Sequence, residues 1–174
     1  SGASMVFDAK QTGSTNSVIA SILQGASSSW TYHATGDSNV ATFAVGASGA
    51  ATSTDFDYSQ TDGNSNVLLW TQGAASAATA GNADFVIQGG TNNINTTCEF
   101  IGCIQNWNID GDGNDIDVTQ TGNADKSITA TLTGSTNDID IDQTSATTGT
   151  TDVLNIVSTT SNGTIDVDQC SSGC

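Results

Sequence analysis

Proline and arginine are absent from the chain, histidine occurs once, and two lysines stand against 18 acidic residues, for a net charge of −16 over 174 residues. Each shortage excludes something. A strongly acidic chain without basic patches is repelled by nucleic acid and by anionic membrane surfaces. No run of apolar residues approaches the ~20 needed for a spanning helix. Ser1 reads as a mature N-terminus from which a secretory signal has been removed. A single histidine, His33, leaves no Ser/His/Asp set with a reason to converge, and it falls at a place held by Lys10 and Ser59 in sister segments, as a solvated side chain would. No nucleophile elbow, phosphate loop or metalloprotease helix is present. The chain is not read as an enzyme. The lack of proline has a different meaning: a prolyl nitrogen cannot donate to a strand ladder, so a chain built wholly of ladders avoids it.

What is present is a repeated phrase. "FDAKQTGSTN" (Phe7–Asn16) returns 23 residues later as "WTYHATGDSN" (Trp30–Asn39), and again as "FDYSQTDGNSN" (Phe56–Asn66). "DIDVTQTGNAD", "DIDIDQT" and "TIDVDQ", beginning at Asp115, Asp138 and Thr164, carry its strand half. Strict polar–apolar alternation marks a half-buried strand. Between these lie second strands such as "SVIASILQG" and "NVLLWTQG", separated by Gly/Asn/Asp/Ser turns. A recurring unit of about 23 residues is the mark of a stacked-repeat architecture. We therefore expect one all-β domain over 1–174. It is a β-solenoid of six to seven two-stranded rungs, forming a rod roughly 30 Å long at the usual strand spacing. An irregular rung is expected near 73–109, pinned by Cys98 and Cys103.

In that stack Phe7, Trp30 and Phe56 form one inward ladder, and Ile116, Ile139 and Ile165 another. Gln11, Gln60, Gln120, Gln143 and Gln169, with Asn16 and Asn39, are expected to stack their amides along the axis, as Asn/Gln ladders do in cross-β assemblies. The four cysteines form two close pairs, Cys98/Cys103 and Cys170/Cys174. They read as disulfides of an oxidising compartment rather than a zinc site, with a bond between subunits open for the second pair.

The carboxylates also stack: Asp117, Asp140 and Asp166; Asp142 and Asp168; Asp115 over Asp138. Like charges opposed on adjacent strands destabilise. Either a hard cation such as calcium bridges them, or the face is solvated and screened by salt. "DGDGND" (Asp110–Asp115) starts like a calcium loop but lacks the glycine and the final glutamate that an EF-hand requires. "TATLT" (Thr129–Thr133) raises ice binding as a rival. The Thr array does not repeat from rung to rung.

"QTGSTNSV" (Gln11–Val18) and "QGGTNNI" (Gln88–Ile94) resemble the repeats of curlin, the subunit of bacterial curli. The resemblance implies a secreted, extracellular or cell-surface subunit that assembles end to end with copies of itself into an amyloid-type fibre of a biofilm matrix. The alternative is a monomeric solenoid that binds ice or acts as a calcium-dependent adhesin.

Overall fold

The structure is a computed structural model, described for residues 5–22, 28–45, 54–73, 81–99, 103–122, 126–145 and 152–171. Fourteen strands lie in these segments. In chain order they are β1 (Met5–Thr12), β2 (Ser17–Ile22), β3 (Ser28–Thr35), β4 (Val40–Val45), β5 (Thr54–Thr61), β6 (Val67–Gln72), β7 (Gly81–Gln88), β8 (Asn93–Cys98), β9 (Cys103–Asp110), β10 (Asp115–Gly122), β11 (Ser127–Ser135), β12 (Asp138–Ser145), β13 (Val153–Ser161) and β14 (Thr164–Ser171). Odd-numbered strands form one seven-stranded parallel sheet and even-numbered strands a second. Each consecutive pair, β1 with β2 through β13 with β14, is one rung of a β-solenoid.

Every strand pairs in register with its counterpart one rung on. Phe7 lies beside Trp30 and Trp30 beside Phe56; Ile116 lies beside Ile139 and Ile139 beside Ile165. Alternation sends one face of each strand into the space between the sheets. Tyr32, Phe43, Leu68, Trp70, Ile87 and Ile128 are fully covered there. Burying one large apolar side chain stabilises by about 1.5–3 kcal/mol, and the stack repeats that gain at every rung.

The tight turn within each rung is also stacked. A β-carbon added to Gly36 would sit 2.5 Å from the carbonyl oxygen of Gly13, and one on Gly89 would sit 2.0 Å from that of Gly63. Both glycines also have φ near +109°. Only glycine lets successive turns approach this closely.

Two expectations change. Among the described residues of 73–109 the strands are regular: β7 pairs in register with β5 and β9, and β8 with β6 and β10. The small residues Gly81 and Ala83 hid the alternation. The second correction concerns which strand is which. The phrases at Phe7, Trp30 and Phe56 are β1, β3 and β5 of one sheet, whereas "DIDVTQ", "DIDIDQ" and "TIDVDQ" are β10, β12 and β14 of the other. "SITATLTG" and "VLNIVS" correspondingly belong with the first sheet, as β11 and β13. Both strands of a rung end in an inward residue followed by a turn, so the two look alike in sequence.

Candidate functional site: stacked columns and open ends

The amide ladder sits at the turn that follows each odd-numbered strand. Asn16 Nδ2 donates to Asn39 Oδ1 at 3.0 Å, Asn66 Nδ2 to Asn92 Oδ1 at 3.2 Å, Asn92 Nδ2 to Asn114 Oδ1 at 2.9 Å and Asn114 Nδ2 to Asn137 Oδ1 at 3.1 Å. Asn39 joins through its backbone N–H, which donates to Asn66 Oδ1 at 2.7 Å. The same oxygens accept the backbone N–H of Asn16, Asn66, Asn92 and Asn114 from the preceding rung. Asn39, Asn66, Asn92, Asn114 and Asn137 are buried. Beyond Asn16 and Asn39, the other members recur at intervals of 22 to 27 residues, a spacing that makes them legible in the sequence. The ladder ends at Gly163, the residue before Thr164, which is the register-mate of Asp138.

The glutamines do not form one column. Gln120, Gln143 and Gln169 do stack in the even-numbered sheet, Gln143 Nε2 donating to Gln120 Oε1 at 3.0 Å and Gln169 Nε2 to Gln143 Oε1 at 2.7 Å. Gln11 and Gln60 stand in the odd-numbered sheet with Ala34 between them. Tyrosines serve them instead: the Tyr32 hydroxyl donates to Gln11 Oε1, and the Tyr58 hydroxyl to Gln60 Oε1 at 2.9 Å. Burial pushes the Tyr32 phenol up to about 12 and the Tyr58 phenol higher, so both keep the proton they donate. Gln60 Nε2 donates in turn to Asn92 Oδ1 at 2.9 Å. Gln88 faces outward. The inward residue is Ile87, since a shift of one residue along a strand reverses the face.

The carboxylate columns stand as expected. Asp115 is beside Asp138, and Asp117 beside Asp140. Asp140 is beside Asp166, and Asp142 beside Asp168. Asparagines close the upper end: Asn93 Nδ2 donates to Asp115 Oδ2 at 2.9 Å, and Asn95 Nδ2 to Asp117 Oδ2 at 3.4 Å. Partial burial, then the charges of Asp115 and Asp140, raise the Asp117 carboxyl above its ordinary value, against the hydrogen bond from Asn95. Burial, with Asp55 and Asp84 beside it, likewise raises Asp57 on the other sheet. Among the described residues no group of three or more Asp, Glu, His or Cys side chains is arranged to hold a metal ion. His33 lies beside Lys10 and Ser59 on the outer face, 3.4 Å from the Thr35 hydroxyl. Thr129, Thr131 and Thr133 face asparagine, aspartate or valine on at least one side, so no flat Thr array forms.

Two corners carry cross-links. Cys98 at the end of β8 is disulfide-bonded to Cys103 at the start of β9. Cys170 is also disulfide-bonded; Cys174 lies outside the described residues. At the ends of the rod the core is less covered. Phe7, Ala9, Val18 and Ala20 are only partly buried in the first rung, as are Leu154 and Ile156 in the last. Ile165 and Val167 are each 37% exposed.

The family model described as Curlin associated repeat matches residues 111–144, from the turn before β10 into β12. No curated protein and no solved structure matches the chain. No helix among the described residues is long and apolar enough to cross a membrane. The repeat matched over residues 111–144, set within a seven-rung parallel solenoid, supports a curlin-like repeat protein.

Proposed function

We propose that the chain is a structural subunit that adds end to end to copies of itself, building an extracellular filament with amyloid-type cross-β spacing. The observation that carries this reading is the pair of open ends. The outer edges of β1 and β2 have no strand partner among the described residues, nor do those of β13 and β14. Each leaves partly uncovered apolar side chains. An unpaired parallel edge with its core half exposed is a template for another strand, and the two ends differ, so their union is heterologous and does not close. Continuing the register places β13 of one copy beside β1 of the next and β14 beside β2. Leu154 then covers Phe7, and Ile165 covers Val18. The curlin-like repeat favours a structural role over a catalytic one, and a cell-surface location.

The Asp columns oppose close packing between filaments. Salt or divalent cations that screen them should speed assembly.

A variant pair tests the reading. Ile165→Lys with Val167→Lys places two charges in the joint and leaves the interior rungs untouched. The expected result is a folded, monomeric chain that neither elongates nor seeds wild-type filaments. Filaments formed by this variant at the wild-type rate would overturn the proposed joint.

A further inference from the structure

One of the chain's two lysines is buried. Lys126 stands just before β11 with its side chain fully covered, and Asp152 stands just before β13 with its side chain 2% exposed. Lys126 Nζ is 3.9 Å from Asp152 Oδ1. It also donates to Ser145 Oγ at 2.7 Å and to the Gly122 carbonyl at 3.1 Å. The Ser145 hydroxyl donates to Asp152 Oδ1 at 3.2 Å, and so does the Lys126 backbone N–H, also at 3.2 Å. Asp152 Oδ2 is buried and has no hydrogen-bond partner. A buried ion pair offsets its desolvation only when its remaining lone pairs and protons are satisfied. This one leaves a carboxylate oxygen unserved.

We propose that Lys126 and Asp152 condense into an intramolecular amide that joins the last rung to the one before it. The Nζ–Cγ bond forms and one Cγ–O bond breaks. The ammonium gives up two protons, and the departing carboxylate oxygen takes both and leaves as water. Ser145 Oγ, bonded to both partners, relays the first proton. No oxidant or reductant is required. The product is neutral, keeps an N–H for Ser145 or Gly122, and has one buried oxygen fewer to satisfy. Cross-linking at this corner has a parallel in the same molecule. The register that sets Ser127 beside Ile104 sets Lys126 beside Cys103, and Cys103 carries the disulfide to Cys98. The amide would bind the least covered rung to the body of the rod.

Intact mass spectrometry of the reduced, denatured chain tests this directly. The expected mass is about 18 Da, one water, below that of the sequence, and proteolysis gives a branched peptide joining Lys126 to Asp152. Lys126→Arg, which keeps the charge but lacks the amine, and Asp152→Ala both return to the unmodified mass. Wild-type protein at the full sequence mass after long incubation at neutral pH would overturn the proposal. So would a water loss without the branched peptide. The wild-type mass decides the matter even if a variant fails to fold.

Discussion

The first four rungs and the last three solve the same packing problem with different chemistry. The core of the first four is aromatic. Phe56 contacts Phe43, Trp70 and Phe85 at centroid distances of 5.1, 5.6 and 5.8 Å. Phe85 stacks at 4.1 Å on Trp107 of β9, in the fifth rung, where the aromatic column ends. From that rung on Ile109, Ile116, Ile128, Leu132, Ile139 and Ile141 fill the interior. The outer face of the even-numbered sheet divides at nearly the same level. Ile19, Val40, Val67 and Leu69 are exposed in the early rungs, and the register-mates of these columns later on are Asp115, Asp117, Asp138 and Asp140. Asn93 and Asn95 of β8 sit at the change. Parallel in-register stacking demands likeness between neighbours, not along the whole rod, so interior and surface can drift as long as each step is compatible.

The comparison predicts where damage is greatest. Asn92 serves both regimes: Asn66, Gln60 and the Asn66 backbone N–H all donate to its Oδ1. Asn92→Ala leaves those donors buried without an acceptor. The expected loss, at about 1–3 kcal/mol per unsatisfied group, is enough to unfold the chain or lower its urea midpoint further than any other single change here. Phe56→Ala should cost about 3–5 kcal/mol by the same measurement, against about 0.5–1.5 for Ile139→Val in the aliphatic rungs. Equal losses at the two sites would remove the distinction drawn between the cores.

Much of this was legible in the sequence, for identifiable reasons. Alternation in "DIDVTQ" and "DIDIDQ" gave strand, face and register at once, because the aspartates cannot face inward. The assignment of those strands to a sheet was not legible, since Gln60 and Gln120 end strands of opposite sheets with the same inward amide before a turn. Lys126 gave no signal at all. A lone lysine reads as solvated, and only its meeting with Asp152 and Ser145, 26 and 19 residues away, shows otherwise.

Smaller effects test the outer faces. Asp140→Asn removes the middle charge of the Asp117–Asp140–Asp166 column and should stabilise by about 0.2–1 kcal/mol, the range of a cross-strand pair. The gain should be largest at low salt in thermal unfolding. Thr42→Asn, at the matching place in the early rungs, should show no such salt dependence. The raised carboxyls of Asp57 and Asp117 carry a sign as well. A folded carboxyl above its unfolded value binds protons more readily when folded, so its contribution grows as pH falls from the raised value towards the ordinary one and is lost as pH rises through it. Carbon-detected NMR titration should find both groups protonating at a higher pH than an exposed aspartate, and Asp117→Asn should flatten that part of the stability profile. A titration at the ordinary position would contradict the burial argued for these sites.

The most direct measurement of the end-to-end reading is electron cryomicroscopy of the purified wild-type chain, incubated in salt. The account expects unbranched filaments whose layer lines give an axial spacing of about 4.7–4.9 Å, one strand per rung, with no break in spacing between the last rung of one copy and the first of the next. Particles that remain single seven-rung rods at every salt concentration and pH, or filaments whose joints lack that spacing, would contradict it.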